Sequence, residues 1–258
     1  MSLSGTNYSV RDEIRDFWSE RAPTFDQSVG HEIFSDQERA GWHGLIARHL
    51  GSGGDRQALD LASGTGVISH LMHDLGFAVT GADWSETMLE LARSKARARG
   101  ADIRFIMRDA ERTMEPRESY DVIVNRHLVW TLVDVPAAFA EWFALLKPGG
   151  KLLIVDGNMG KKSWVSGLRK RFDPAASQTG LSTSMADRLQ AIRRQVYFAD
   201  QMPPEAVVAE LVEAGFADPV IDRNLWGILW PQARKMGFWR GMERLTQERF
   251  AICVTKPG

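Results

Sequence analysis

Short apolar runs separated by stretches of helical periodicity set the rhythm of the chain. Residues 58–61, 77–82, 102–107, 120–124 and 151–155 are predominantly apolar runs of four to six residues, the length of buried strands. Helical patterns lie between them. Ser85 reads as an N-cap, with Met88, Leu89 and Ala92 on the apolar side of a helix that Gly100 closes. Residues 135–146 carry Phe139, Trp142, Phe143 and Leu146 at helical spacing before the turn Lys147-Pro148-Gly149-Gly150. Upstream, helices are predicted over 10–22, ended by Pro23, and over 35–50. Downstream come a helix over 204–214, strands over 216–221 and 249–255, and a bridge of unusual length, 222–248, between those two strands. This alternation predicts an α/β fold.

The stretch 58–83 carries the clearest chemistry. A strand runs into the small-residue turn Ala62-Ser63-Gly64-Thr65-Gly66, a helix follows, and the next strand stops at Asp83, seventeen positions beyond Gly66. Glycines admit a ligand close to the backbone, a helix start offers unpaired N–H groups, and a carboxylate at the next strand tip can accept hydrogen bonds from ribose hydroxyls. A nucleoside fits such a unit. The dinucleotide fingerprint requires a third glycine where this chain has Ser69, and Asp60 lies inside the first strand, which disfavours a nicotinamide-dependent oxidoreductase.

The run LDLASGTG followed by VTGADWSETMLELAR resembles the class I, Rossmann-like S-adenosylmethionine-dependent methyltransferases, particularly those acting on small molecules. LKPGGKLLIVD, at 146–156, is a second recognisable piece, and the likeness is good from about residue 45 to 155. The resemblance implies a seven-stranded, mostly parallel sheet with an antiparallel last strand. It also implies a helical cap over residues 1–50, a methyltransferase core over 51–258, and a substrate-lid insertion at about 159–202. S-adenosylmethionine becomes the expected cofactor, held by Asp60, Ala62, Ser63, Gly64, Gly66, Asp83, Trp84, Met88, Asp109, Ala110 and Asn125, with Trp18 and Phe25 closing over it from the cap. By the same likeness Asp83 takes the ribose, Trp84 packs on adenine, Asp109-Ala110-Glu111 reads the adenine edge, and the Asn125 carbonyl receives the methionine amino group. Arg21 joins Trp18 and Phe25 as a pocket candidate. Trp18 equally suits a role docking the first helix on the core. Ala62 stands where the family has its first glycine, so φ is expected to stay negative there.

Ligands of open α/β sheets sit outside the carboxyl ends of the strands, where the strand order reverses. Residues 125–130 should therefore border the reacting methyl group. His127 is the leading catalytic candidate, as a general base or as a group that positions substrate. Asp156, at the next strand tip, is a second base or anchor. Asn125 and Asp156 lack a convincing third ligand, so no metal is assigned.

Composition narrows the partners. With 258 residues and 44% hydrophobic content the chain can bury a full core, and a net charge of −1 sets up no global field toward nucleic acid or anionic membrane. Cys253 lies in the apolar run AICV and reads as a buried thiol. No apolar run approaches the length of a membrane span or a signal-peptide core, so a cytoplasmic enzyme, monomeric or homodimeric, is expected. The insertion is locally basic, with eight basic residues against three acids, and can attract an anionic acceptor or form a solvated face. Used on a lipid headgroup or nucleic acid, that basic lid is the alternative to a small-molecule acceptor. The bridge holds Trp226, Trp230, Phe238 and Trp239, which suit an apolar or cation-binding pocket, a dimer contact or a satellite core.

Overall fold

A computed structural model describes residues 8–158, 161, 163–172 and 183–258, without the side chains of 169–172. The first helix, α1 (Val10–Phe25), opens on a capping box in which Ser9 and Asp12 satisfy each other's backbone N–H groups, and α2 (Asp36–Leu50) is capped by Ser35. Helix α1 continues through Pro23 to Phe25, one turn beyond the expected stop. A proline near a helix end removes only one ladder bond, and the extra turn sets Phe25 over the small-residue loop.

The core alternates as β1 (Gln57–Leu61), α3 (Val67–Asp74), β2 (Ala78–Asp83), α4 (Glu86–Arg99), β3 (Ile103–Met107), β4 (Tyr120–Arg126), α5 (Val135–Leu145) and β5 (Leu146–Gly157). Helices α6 (Trp164–Phe172) and α7 (Thr183–Arg193) occupy the insertion, followed by α8 (Pro204–Glu213) and β6 (Ala217–Asp222). The long bridge folds into two helices, α9 (Trp226–Lys235) and α10 (Phe238–Thr246), before β7 (Arg249–Thr255). The seven strands lie in the order β3-β2-β1-β4-β5-β7-β6, and β7 runs antiparallel to both neighbours. This is the expected sheet, with the order reversing between β1 and β4.

Because strand side chains alternate, the sheet builds two cores. Leu152 and Ile154 of β5 face a layer with Trp142, Phe139 and Leu211, while Leu153 and Val155 face Trp42, Leu45, Ile68 and Ile228. The bridge helices belong to the second layer, and α9 packs on α2. Cys253 is buried in that layer.

Two backbone features place the site. Strand β4 runs on through Asn125 and Arg126, two residues past the expected end, because both keep pairing with β5. At the tip of β1, Ala62 has φ 54°, in the left-handed region, contrary to the negative φ expected of alanine there. That conformation costs about 1–2 kcal/mol in a residue with a Cβ. The hydrogen bonds of the turn hold it: Ser63 N–H donates to Ala82 O and Gly66 N–H to Ser63 O. Gly66 is demanded by packing, since a Cβ there would lie 2.9 Å from Phe105. We therefore expect Ala62→Gly to fold with undiminished thermal stability and Ala62→Val to lose more than about 1 kcal/mol in chemical denaturation.

Candidate functional site

One cavity of about 290 Å³ opens at the carboxyl ends of β1, β2 and β4, beneath α1 and α7. Its wall includes Asp60, Ala62, Ser63, Gly64, Asp83, Trp84, Met88, Asp109, Ala110 and His127. Trp18, Arg21 and Phe25 of α1 also line it. Thus most of the residues singled out from sequence meet in one place. Gly66, Asn125 and Asp156 do not line it.

The Asp83 carboxylate organises the cofactor-facing rim. One oxygen accepts from Gly64 N–H at 2.9 Å and the other from Ser85 N–H at 2.8 Å, so one side chain ties the β1 loop to the start of α4. Burial raises its pKa to about 6, against the opposing pull of the Ser85, Gly64 and Trp84 N–H groups. Each oxygen keeps a second lone pair for a ligand hydroxyl. Asp60 lies deeper, where Ser69 Oγ donates to it at 2.6 Å, and burial lifts its pKa to about 7. Ser69 therefore stands where a dinucleotide fold has its third glycine and is wholly buried on Asp60. Ser63 Oγ is buried without a hydrogen-bond partner among the described residues. An orphaned hydroxyl beside a glycine turn and a ribose-competent acid fits the polar requirements of an adenosyl cofactor.

Asp109 accepts from Glu111 N–H at 2.9 Å, forming a tight turn whose Ala110 carbonyl receives Trp142 Nε1–H at 2.7 Å. Glu111 pairs with Arg11 and receives the Val133 and Asp134 N–H groups, anchoring α1 to this turn. The loop after α1 is latched as well. Lys95 of α4 pairs with Asp26 at 2.6 Å and Glu32 at 2.5 Å, and Thr65 Oγ donates to Asp26 at 2.6 Å. Phe25 stacks on His31 with ring centroids 4.1 Å apart, while Trp18 meets Phe25 and Trp130 edge-on. Trp18 thus both docks α1 and lines the cavity.

His127 follows β4 with φ 59°, a second left-handed residue at a strand tip beside β1. Its N–H donates to Val155 O, and its Nδ1 lies 3.7 Å from Asp156. Desolvation, reinforced by Arg249, Arg126, Arg244 and His31, holds its pKa well below the ordinary imidazole value, so the ring is neutral at pH 7. Asp156 sits behind it, accepting from Val129 N–H at 3.1 Å and Gly157 N–H at 2.8 Å. Its carboxylate thus fixes the turn that carries His127. Asn125, inside the β4 ladder, has both side-chain polar atoms buried and unpartnered among the described residues.

Arg126, within the expected 125–130 segment, lines the cavity, which also receives residues that sequence reasoning missed: Val29 and His31 from the loop after α1, Arg244 from α10, and Arg249 from β7. The bridge aromatics do not line it. Trp226 and Trp230 stack on each other at 5.4 Å and are exposed, as is Phe238. Nor does the basic insertion present its described charges there. Arg188 pairs with Glu13 and Glu20 of α1, and Lys161 with Glu248. Lys162 and Asp173 lie outside the described residues, as do the side chains of Arg169, Lys170 and Arg171. Among the described residues, no helix is long and apolar enough to cross a membrane, and no cluster of three or more His, Cys, Asp or Glu could hold a metal ion.

A family model described as a methyltransferase domain matches residues 58–150. The chain is 30% identical over 203 residues to the ubiquinone/menaquinone biosynthesis C-methyltransferase UbiE of Shewanella piezotolerans, covering 72% of this chain and 78% of that relative. It is 34% identical over 103 residues to the demethylmenaquinone methyltransferase of Thermus thermophilus, covering 39% of this chain and 47% of that protein. The matched region spans about half the length of several such curated relatives. Among solved structures, phosphoethanolamine N-methyltransferase 2 of Haemonchus contortus superimposes with a TM-score of 0.70 at 16% identity, covering 97% of this chain and 61% of that one. Geranyl diphosphate C-methyltransferase of Streptomyces coelicolor gives 0.65 at 15% identity, covering 97% and 100%. With its motifs, its strand order and a relative matched over most of its length all in agreement, the chain belongs to the class I S-adenosylmethionine-dependent methyltransferases.

Proposed function

We propose that this protein transfers a methyl group from S-adenosylmethionine to a small-molecule acceptor bound in the same cavity. The observation that carries this reading is the meeting of the Ala62–Gly64 loop, Asp83, Asp109 and His127 in the lining of one cavity where the strand order reverses. The cofactor supplies a methyl group already activated by its sulfonium. In this reading Asp83 accepts from the ribose hydroxyls, Ser63 and the loop N–H groups line the adenosyl path, and Asp109 with Ala110 takes the adenine edge. Trp84 and Met88 pack beside it. Gly66 acts only by letting α4 and Phe105 close in, and Asn125 lies one layer below the surface.

The protein's remaining work is alignment and exclusion of water. Residues 1–50 act as a cap and the insertion at about 159–202 as a lid, supported by α1 and Leu189 of α7 on the cavity wall. The neutral His127 ring accepts a hydrogen bond from an acceptor O–H or N–H and orients it, and a strongly lowered pKa makes it a better aligner than proton store. Asp156 is a positioning residue, since its two hydrogen bonds go to backbone around His127. The names of the quinone C-methyltransferase relatives support carbon as one acceptor class, beside nitrogen and oxygen. The buried Ser69–Asp60 pair argues against a nicotinamide cofactor.

We expect S-adenosylhomocysteine to raise the Tm of the purified chain in a saturable way, and Asp83→Asn to weaken its binding at least 10-fold by calorimetry, as for loss of a charge-assisted hydrogen bond of about 1.5–3 kcal/mol. No Tm change at saturation overturns the reading. Burial raises the Asp156 pKa to about 7, above its unfolded value, so its contribution to stability is full in acid and is lost as pH rises toward 7. Asp156→Asn cannot ionise. Its stability deficit should therefore be larger at pH 5 than at pH 8 when denaturation midpoints are compared.

A further inference from the structure

Three guanidiniums converge on the His127 side of the cavity, and none of them forms a salt bridge with a described residue. Arg126 donates to Gly30 O at 3.2 Å and His31 O at 3.1 Å, and its guanidinium lies over the Trp42 ring at 5.5 Å. Arg244 donates through Nε to Gln232 Oε1 at 2.8 Å and also through Nη2. Arg249 donates to Gln247 Oε1 at 3.2 Å, and its Nε is buried with no partner among the described residues. Every partner is neutral. Among the described residues, none of the three has a carboxylate oxygen within 4.0 Å.

The nearby acids are already engaged. Asp156 holds the Val129 and Gly157 N–H groups, Asp60 holds Ser69, and Asp26 and Glu32 hold Lys95. Glu38 accepts from Gln232 Nε2 at 2.6 Å, which turns the amide oxygen of Gln232 toward Arg244. The fold makes room for this arrangement, because a Cβ on Gly30 would lie 2.3 Å from Arg244 Nη2. The charges also work against one another. Burial comes first among the causes that lower the pKa of all three, and the other arginines add to it at Arg244 and Arg249, against the opposite pull of Asp156 on Arg249, Glu38 on Arg244 and Asp60, Glu32, Glu38 and Asp26 on Arg126. Desolvated like charges without a direct ion pair oppose folding, and replacing such groups by apolar side chains is often neutral or stabilising. Their convergence on a cavity is what an anionic ligand requires, since a planar guanidinium fork matches carboxylate and phosphate oxygens.

Resting on the methyltransferase reading, we propose that Arg126, Arg244 and Arg249 form an oxyanion subsite for the methyl acceptor, which therefore carries a carboxylate or phosphate group. The cofactor's own carboxylate does not account for three cations, and Arg21, whose Nε is also buried without a partner among the described residues, offers it a separate one on α1. Held by its anionic group, the acceptor presents its next polar atom to the His127 ring on the same wall.

The test uses the full chain saturated with S-adenosylhomocysteine, so that the cofactor carboxylate is already in place. Tm is followed while sodium phosphate, pyrophosphate, acetate and succinate are titrated against chloride at matched ionic strength. A saturable rise with at least one oxyanion is expected, lost in Arg244→Gln and Arg249→Gln, while calorimetry shows S-adenosylhomocysteine binding both variants within about 3-fold of wild type. A response to phosphates alone or to carboxylates alone identifies the group. Absence of any response beyond chloride overturns the proposal, as does an undiminished response in both variants. Failure of wild type to bind S-adenosylhomocysteine would instead overturn the methyltransferase reading. Without ligands, Arg249→Met should melt no lower than wild type, and a loss of several degrees would assign that arginine to folding and count against the subsite.

Discussion

The Asp83 carboxylate, holding Gly64 N–H with one oxygen and Ser85 N–H with the other, is the contact from which the rest of the site takes its position. It joins the loop after β1 to the start of α4, two segments that approach only because β1 and β2 are paired in parallel register. The loop then pays for its shape at Ala62, whose left-handed backbone is tolerable because the turn is bonded on both sides. Helix α4 carries Lys95, which pulls the loop after α1 onto the same turn through Asp26 and Glu32. Phe25 and His31 arrive over Gly64 as a consequence. A single buried acid thus sets the floor of the cavity and, through α4, its cover.

Charge is divided across that cavity. The rim near β1, β2 and the turn after β3 is acidic, with Asp60, Asp83 and Asp109, and suits a hydroxyl- and amine-rich nucleoside. Around His127 lie Arg126, Arg244 and Arg249, and the last two come from late parts of the chain. Arg244 and Arg249 belong to the end of the bridge and the first residue of β7, and the bridge helices pack on α2 through the second core layer. The elements that extend this chain between β6 and β7 therefore supply acceptor chemistry, while the shared motifs supply cofactor chemistry. Burial first, and then the arginines around it, keep the His127 imidazole neutral.

The loop and acids that line one side of the cavity were legible because their signals are local. A strand, a small-residue turn, a helix and an acid at the next strand tip fall within 58–83, so periodicity and turn chemistry identify them without tertiary information. The seven-stranded sheet and its antiparallel β7 also followed from the resemblance. Arg126 fell within the segment expected at the site, but Arg244 and Arg249 were not legible, since an arginine on a helix or at a strand end reads as a solvated charge until the fold removes its partners. The one available signal was the length of the bridge, which the eye follows through its tryptophans rather than its arginines. Asn125 and Asp156 illustrate a subtler failure. Strand β4 runs two residues further than its apolar run, which draws Asn125 into the ladder, and Asp156 turns its carboxylate to backbone N–H groups behind His127.

The two strained residues at the cavity share a cause. Ala62 ends β1 and His127 follows β4, adjacent parallel strands at the reversal point, and both adopt left-handed φ. A strand continuing in extended conformation would carry its next side chain past the sheet edge. A left-handed residue instead turns the chain sharply, so that Ser63 and Gly64 curl over one side of the crevice and His127 faces it from the other. Glycine would make either turn with less strain. At 62 the small Cβ of alanine is enough, but at 127 only a side chain that reaches the cavity justifies the conformation, because no turn requirement selects histidine over glycine or asparagine. The backbone cost at His127 therefore points to the imidazole itself as the retained feature, on a wall where three arginines and a neutral ring face the same ligand.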